Sequence, residues 1–303
     1  MENGFNIMGK NLSEERKLAF IKKKEQMEEE SILPFKGELE KTEKTEEIIN
    51  FINNCLKKEF DEMGLKYENI PSEKVHLFLD DIFRKMHPES TASGIYSSIL
   101  HEAHIRVGCS ERANIFTTIL HEMIHIASYN VYYANTNNED LSDNYRTGYA
   151  NAQHQGQNFH EHFRGLNEGI IDLIASEILN KNLETISEML DLEEEDYKSI
   201  NWYYDEGELI NAIIEKVAKQ KNEDEDDVYM RFKKGLFSGE MMHLRDVEKV
   251  FGKDALRIFS YVDPKAKSKK EIEIQGKVYE FFLTDNQERK NQLHAEIIQE
   301  RSL

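Results

Sequence analysis

The histidines of this chain are concentrated in one stretch, so metal chemistry is to be sought there first. Nine of the eleven lie between residues 76 and 162, and His121 and His125 stand four residues apart in the segment HEMIH. Side chains at positions i and i+4 of a helix share one face, with Cβ atoms about 5–6 Å apart. That spacing lets two imidazoles meet one Zn²⁺ ion at about 2.0–2.1 Å each. The segment therefore predicts two ligands of a zinc site.

The residue after the first histidine has the chemistry of a general base. Glu122 projects about 100° around the helix from His121, so it can flank a metal without ligating it. A carboxylate in that place suits removal of a proton from a water that the metal polarises. Apolar residues at Ile115, Ile119 and Ile126 support the helical context of the segment.

Two histidines do not hold zinc firmly, so another element must supply a third ligand. The positions that carry glycine and histidine in metzincins hold Ser128 and Val131 here, which excludes that class. Five residues of the intervening segment stay open as donors: Glu139, Asp140, Asp143, His160 and His162. The strongest candidate is Glu168, since a second helix is predicted from residue 166 and Glu168 shares a face of it with Asp172. One of these carboxylates can bind the metal while the other accepts a hydrogen bond from a liganding imidazole.

HExxH on one helix, followed by Asn-Glu-x-x-x-Asp on the next, resembles the gluzincin zinc metallopeptidases, the clan that includes thermolysin. The similarity covers roughly residues 94–182. It implies these roles: zinc ligands His121, His125 and Glu168, general base Glu122, and Asp172 as the partner of a ligand, His121 in the first place. It also implies an extended strand along the cleft, at residues 104–107, to whose edge a peptide substrate would add itself.

The chain departs from that pattern in two respects. Forty-two residues separate His125 from Glu168, more than in thermolysin-like enzymes. The tyrosine or histidine that stabilises the tetrahedral intermediate in the family has no match, and six residues stay open for it: Tyr149, His160, His162, Arg164, Tyr203 and Tyr204. His101-Glu102-Ala103-His104 looks like a broken copy of HExxH, and we interpret its polar residues as ordinary surface residues.

The elements around the site follow from hydrophobic periodicity. Strands are predicted at 75–79, 94–97 and 104–107, a helix over 111–130 and a long hairpin within 145–163. The other predicted helices are 45–63, 166–181, 184–192, 203–220, 225–235, 244–260 and 286–301, and a Gln-Gly turn predicts a hairpin over 272–279. We therefore expect an α+β, zincin-like fold: a small twisted sheet with an active-site helix, followed by a mainly helical C-terminal part.

Four regions are expected along the chain. They are a charged N-terminal helical region (1–73), a zincin-like catalytic core (74–182), a C-terminal helical subdomain (183–263) and a hairpin with a terminal helix (264–303).

Composition excludes several classes of function. The chain has 303 residues, with 58 acidic against 39 basic side chains and a formal charge of −19, which argues against nucleic acid as a partner. No segment approaches about 18 consecutive apolar residues, so no membrane span is expected. We expect a cytoplasmic protein, because the start lacks the regions of a secretory signal and two cysteines make no disulfide framework.

The sequence thus predicts a zinc-dependent metallopeptidase, an endopeptidase in the first place, with one Zn²⁺ per chain and a peptide or protein substrate. The helices beyond the core favour a narrow processing protease. The alternative is a helical interaction or regulatory protein whose zinc site is structural or inactive, with His160 or His162 closing the coordination. Metal-dependent hydrolysis of another kind of bond is a third, weaker alternative.

Overall fold

The computed structural model describes residues 6–8, 13–15, 17–19, 21–22, 26, 37–88, 90–98, 100–108, 112–133, 145–155, 158–192, 205–264, 266 and 268–301. The fold is mixed α/β, with two small sheets and a helical C-terminal part. The strands are β1 (Asn6–Met8), β2 (Val75–Leu79), β3 (Gly94–Ser97), β4 (Glu102–Val107), β5 (Asn130–Tyr133), β6 (Tyr145–Thr147), β7 (Ala150–Gln155) and β8 (Asn158–His162).

Helices precede, separate and follow these strands. In the first half of the chain they are α1 (Glu43–Glu62), α2 (Asp80–Met86) and α3 (Arg112–Ala127). In the second half they are α4 (Arg164–Lys181), α5 (Leu183–Leu190), α6 (Asp205–Lys221), α7 (Glu225–Ser238), α8 (Leu244–Phe251), α9 (Ala255–Phe259), α10 (Lys269–Leu283) and α11 (Gln287–Arg301).

The first sheet has three strands in the order β2-β4-β3, with β2 parallel and β3 antiparallel to β4. The three predicted strands are therefore confirmed. The expectation that residues 104–107 offer a free edge is wrong, because β4 is the central strand. β3 is the strand beside α3. Among the described strands it pairs with β4 alone, with Gly94 opposite Ile105. Strand order depends on pairing between distant residues, which periodicity does not report.

The second sheet has the order β1-β5-β6-β7-β8, and its last four strands form an antiparallel meander. The predicted long hairpin is confirmed as β7 and β8, with Asn151 opposite His162. A further turn joins β6 to β7 at Gly148, whose φ of +55° lies in the left-handed region that glycine adopts readily. Asn167 at the start of α4 accepts a hydrogen bond from the backbone N–H of Tyr149 at 3.0 Å, which ties this turn to α4.

The C-terminal part corrects two predictions. The helix expected over 244–260 is two helices, α8 and α9, because the chain turns at Gly252 with φ +95°. The hairpin expected over 272–279 is wrong, since α10 covers the segment. Ile274 and Val278, four residues apart, are buried on one face of α10, and Ser268 begins it with a capping box. Apolar alternation and a Gln-Gly pair imitate a hairpin there, but burial and capping favour the helix.

One hydrophobic cluster extends from Ile48 in α1 to Ile297 in α11. It includes residues on both sides of each predicted regional boundary, so the packing is continuous across them. The three regional boundaries themselves stay predictions. Within the described part of the chain, no helix combines the length and the apolar character needed to cross a bilayer.

A buried ion network joins three helices on the far half of α4. Lys233 of α7 is fully buried and contacts Glu59 of α1 and, at 2.7 Å, Glu177 of α4. Lys181 pairs with the same two carboxylates, at 3.2 Å and 2.7 Å. A buried charge is tolerated only when paired and hydrogen-bonded, so this network fixes how α1, α4 and α7 sit against one another.

The position of Gly276 distinguishes the helix from the hairpin. It is exposed in the middle of α10, and an added Cβ would meet nothing within 4 Å. Gly276→Ala should therefore raise the free energy of unfolding by about 0.5–1 kcal/mol, because alanine loses less backbone entropy in a helix. Urea denaturation measures the change. Gly252→Ala is the contrasting variant, expected to lower stability by about 1–3 kcal/mol because of its positive φ. Destabilisation by Gly276→Ala would contradict the helix.

Candidate metal centre

The two helices that carry the motif residues converge on one point. α3 packs its apolar side chains Leu120, Met123 and Ile124 into the core, all fully buried. His121 and His125, on the face toward α4, bring their Nε2 atoms within 3.2 Å of each other. Glu168, in the second turn of α4, places Oε2 at 3.2 Å from both Nε2 atoms.

These three atoms fit a zinc ion. In a tetrahedral site with bonds of about 2.0–2.1 Å, neighbouring ligand atoms are about 3.3–3.4 Å apart. The three observed separations of 3.2 Å match three corners of such a tetrahedron. Two imidazoles and a carboxylate are also a donor set that zinc accepts. Among the described residues, this is the one group of three or more His, Cys, Asp and Glu side chains arranged to hold a metal, and it has no fourth member.

Of the other donors considered from the sequence, the structure describes the side chain of His162 alone, and it does not join this group. His162 is exposed at the end of β8. Glu139, Asp140 and Asp143 lie outside the described residues, as does the side chain of His160, which occupies a position in β8.

Asp172, one turn beyond Glu168, lies beside the first ligand histidine. Its Oδ1 atom is 3.1 Å from Nδ1 of His121, and Asp172 is buried. The contact has ion-pair distance, while its angles lie outside hydrogen-bond geometry. The spacing Glu168 to Asp172 thus places one carboxylate at each nitrogen of the same imidazole.

Glu122 is buried on the side of α3 that faces β3. A Cβ added to Gly94 of β3 would lie 2.7 Å from Oε1 of Glu122 and 2.6 Å from Cγ2 of Thr118. Real Cβ atoms do not approach so closely, so glycine at this position lets the strand come up against the carboxylate. Burial raises the pKa of Glu122, against the opposing effect of the two neighbouring imidazoles.

The electrostatics of the group couple histidine to carboxylate. Burial raises the pKa of Glu168, but the imidazoles of His125 and His121 outweigh it and hold that pKa well below its usual range. Burial lowers the pKa of His121, and the carboxylates of Asp172 and Glu168 reverse the effect and raise it well above the usual value. Without a metal, the positive charge of an imidazolium therefore stabilises the buried carboxylate.

Sequence reasoning missed the tyrosine on β3. Tyr96 stacks on His125, with ring centroids 5.4 Å apart and planes 2° from parallel. Its hydroxyl lies 2.9 Å from Nδ1 of His101 and 3.1 Å from Oδ1 of Asn130. Burial raises the pKa of Tyr96 well above its usual value. The available signal was the period of two in a strand, which places Gly94 and Tyr96 on the same face.

The interpretation of residues 101–104 as surface residues is wrong. His101, Glu102 and His104 are all buried. Glu102 Oε1 lies 3.0 Å from Nε2 of His104, and Oε2 lies 3.4 Å from Nε2 of His76. The side chains of Glu102, His104 and His76 occupy the face of the first sheet opposite α3. The helix α2 packs on β2 and β4 there, with Phe83 fully buried, so the polar groups are covered.

Tyr149 and Arg164, two of the residues considered for stabilising a tetrahedral intermediate, have other partners in the structure. The hydroxyl of Tyr149 is buried among the C-terminal helices, where it donates to the carbonyl oxygen of Phe232 at 2.7 Å. Arg164 pairs with Glu161 at 3.2 Å. Tyr203 and Tyr204 lie outside the described residues.

Comparison with known proteins adds no relative: no protein family model, no curated protein and no solved structure matches this chain. The function is therefore argued from the geometry of the chain itself.

The raised pKa of His121 predicts a pH dependence of the metal-free protein. A histidine whose folded pKa is raised contributes stability that is complete below about pH 6.5 and is lost as the pH rises through the folded pKa. The metal-free native protein should therefore exceed His121→Asn in stability most at about pH 6, and the difference should narrow toward about pH 9. Urea unfolding of both proteins across this range measures it. A difference that stays constant with pH would contradict the coupling of His121 to its carboxylates.

Proposed function

We propose that this chain is a zinc-dependent metallopeptidase with a zincin-like core. The observation that carries the proposal is the triangle of ligand atoms, with 3.2 Å along each side, next to a buried carboxylate that is not part of it. A structural zinc site would not require Glu122 in that place. The arrangement of a small sheet, α3 beside its edge strand and α4 across α3 supports the zincin-like assignment.

Among the residues that the structure describes, three donors meet at the centre and no fourth joins them. Catalytic zinc sites have three protein ligands and keep a fourth position for water or substrate, whereas structural sites are closed by four. The described residues supply three donors, which supports the catalytic reading over a structural or inactive site. When bound there, zinc would lower the pKa of a water to about 7 and polarise a carbonyl group.

The residues of the chain then have separate tasks. His121, His125 and Glu168 hold the metal, and Asp172 orients His121 through its Nδ1 side. Glu122 takes the proton from the attacking water and passes it to the leaving amine. Its buried position excludes bulk water from the carboxylate, and the close approach of Gly94 limits its movement.

The substrate side of the centre is β3. Among the described strands, β3 pairs with β4 alone, so one of its edges can accept an extended peptide by main-chain hydrogen bonds. Gly94 and Tyr96 of this strand contact Glu122 and His125, so a peptide on the unpaired edge would lie beside the proposed metal ligands. An extended peptide in this place favours an endopeptidase, and the formal charge of −19 favours basic substrates through long-range attraction. The additional helices favour a narrow range of protein substrates.

Zinc content tests the ligand set. Native protein should hold about one Zn²⁺ per chain after dialysis, and Glu168→Ala should hold close to none, because two histidines do not retain the metal. Elemental analysis of both proteins after the same dialysis is the measurement. Glu184→Ala, which removes an exposed carboxylate from α5, is the matched control and should keep the native content. Equal zinc in Glu168→Ala and in the control would refute the ligand set.

Glu122→Gln separates the base from the ligands. The variant should keep about one zinc per chain and lose peptide hydrolysis by roughly 10²–10⁴-fold, the usual contribution of a general acid–base residue. Cleavage of a peptide library, measured by mass spectrometry with the native protein alongside, gives the rate. Undiminished cleavage by Glu122→Gln would contradict the proposed role of Glu122 as general base, while the proposed zinc ligands would be unaffected.

A further inference from the structure

We propose that Tyr96 is a positioning residue for the ligand histidine His125, whose imidazole plane it fixes by stacking. The inference rests on the proposed function, because it concerns the same metal centre. The parallel rings at 5.4 Å lie within the range of favourable offset stacking. Tyr96 belongs to β3 and His125 to α3, so the contact joins two elements across the site.

The second nitrogen of His125 shows why such a contact is needed. A metal-ligating histidine usually donates its other ring N–H to a carboxylate, a carbonyl or a water, which fixes the ring. Nδ1 of His121 has the carboxylate of Asp172 at ion-pair distance, 3.1 Å, although not in hydrogen-bond geometry. Nδ1 of His125 is buried and has no hydrogen-bond partner among the described residues. Contact with the face of the imidazole is then the remaining way to fix the ring. Tyr96 covers that face.

The hydroxyl of Tyr96 is itself held by a directed chain of hydrogen bonds. Nδ2 of Asn130 donates to the carbonyl oxygen of Ser128 at 2.7 Å, which fixes the orientation of the amide. Oδ1 of Asn130 then accepts from the hydroxyl of Tyr96 at 3.1 Å. The hydroxyl oxygen in turn accepts from Nδ1 of His101 at 2.9 Å. The hydroxyl of Tyr96 is thus held between Asn130 and His101, which restricts the position of the ring.

Both ends of this series of hydrogen bonds are fixed to the backbone near the metal centre. Ser128 follows the last turn of α3, and its hydroxyl donates to the carbonyl oxygen of Ile124 at 2.8 Å. At the other end, His101 is buried and has a φ of +56°, a conformation that costs a residue with a side chain roughly 1–3 kcal/mol. Its N–H donates to the carbonyl oxygen of Ser97 at 2.7 Å, which holds the turn between β3 and β4. A strained residue at the end of a chain that leads to a ligand suits a positioning role.

The test compares metal binding by Tyr96→Leu and Tyr96→Phe with the native full-length chain. Zinc affinity is measured by competition with a chelator, and the visible absorption of bound Co²⁺ reports the coordination geometry. Tyr96→Leu, which loses both the ring and the hydroxyl, should weaken zinc binding roughly 10–100-fold and alter the Co²⁺ absorption. Tyr96→Phe keeps the stacking ring and loses only its anchor, so its loss should be smaller, less than about tenfold, in the same direction.

Tyr67→Leu is the matched control. Tyr67 is half-buried, packs its ring on Phe60 at 5.0 Å and donates its hydroxyl to Asn53 at 2.6 Å, and all three residues belong to α1 or the segment after it. Its truncation removes a ring and a hydrogen bond without touching β3 or α3. Zinc affinity and Co²⁺ absorption of Tyr67→Leu should stay native.

The outcomes separate the inference from the proposed function. Native affinity and native Co²⁺ absorption in both Tyr96 variants would overturn the positioning role and leave the metallopeptidase proposal standing. A loss in Tyr67→Leu equal to that in Tyr96→Leu would also overturn the role, since it would reflect general destabilisation. If Tyr96→Leu does not fold, Tyr96→Met, which fills similar space without a ring, takes its place, and native behaviour of both readouts in it overturns the proposal. Failure of the native chain to bind either metal would overturn the proposed function and this inference with it.

Discussion

The contact of the half-buried Glu168 carboxylate with two imidazoles is the interaction on which the other features of the centre depend. An isolated carboxylate between packed helices would cost several kcal/mol, so it needs either the imidazoles or a cation. Either kind of contact requires that α3 and α4 keep the same position along each other, so that Glu168 stays opposite His121 and His125. The network of Lys233 with Glu59 and Glu177 fixes the other half of α4, nine residues or about 13 Å along its axis. α4 thus has two charged contact points, at Glu168 and at Glu177. A shift of the helix along its axis would leave a charge unpaired.

The strand β3 supplies the second boundary of the centre. Its residues 94 and 96 point toward α3, and they differ in size for a physical reason. Gly94 has no side chain, so the backbone reaches the carboxylate of Glu122, while Tyr96 fills the wider space over His125. The same strand leaves one edge unpaired among the described strands. The strand whose face contacts Glu122 and His125 is therefore also the strand whose unpaired edge the proposed peptide substrate would use.

The sequence predicted the local parts of this site and not the non-local ones. HEMIH and Glu168 were found because helical spacing depends on neighbours three and four residues away, and most helices and the strands of the first sheet were found for the same reason. The central place of β4 and the stacking of Tyr96 on His125 depend on which distant segments pair, so no local period reports them. The error at α10 arose because Gln275-Gly276 within apolar alternation fits a turn, whereas tertiary burial and a cap favour the helix.

The asparagine of the Asn-Glu-x-x-x-Asp motif connects the long interval to the metal centre. Asn167 precedes the ligand Glu168 and accepts the N–H of Tyr149, so the turn between β6 and β7 is held against the start of α4. On the neighbouring strand of the same sheet, Asn130 of β5 pairs with Thr147, just before this turn, and accepts a hydrogen bond from the hydroxyl of Tyr96. The residues that separate the second histidine from the third ligand therefore build a sheet that is tied to both sides of the centre.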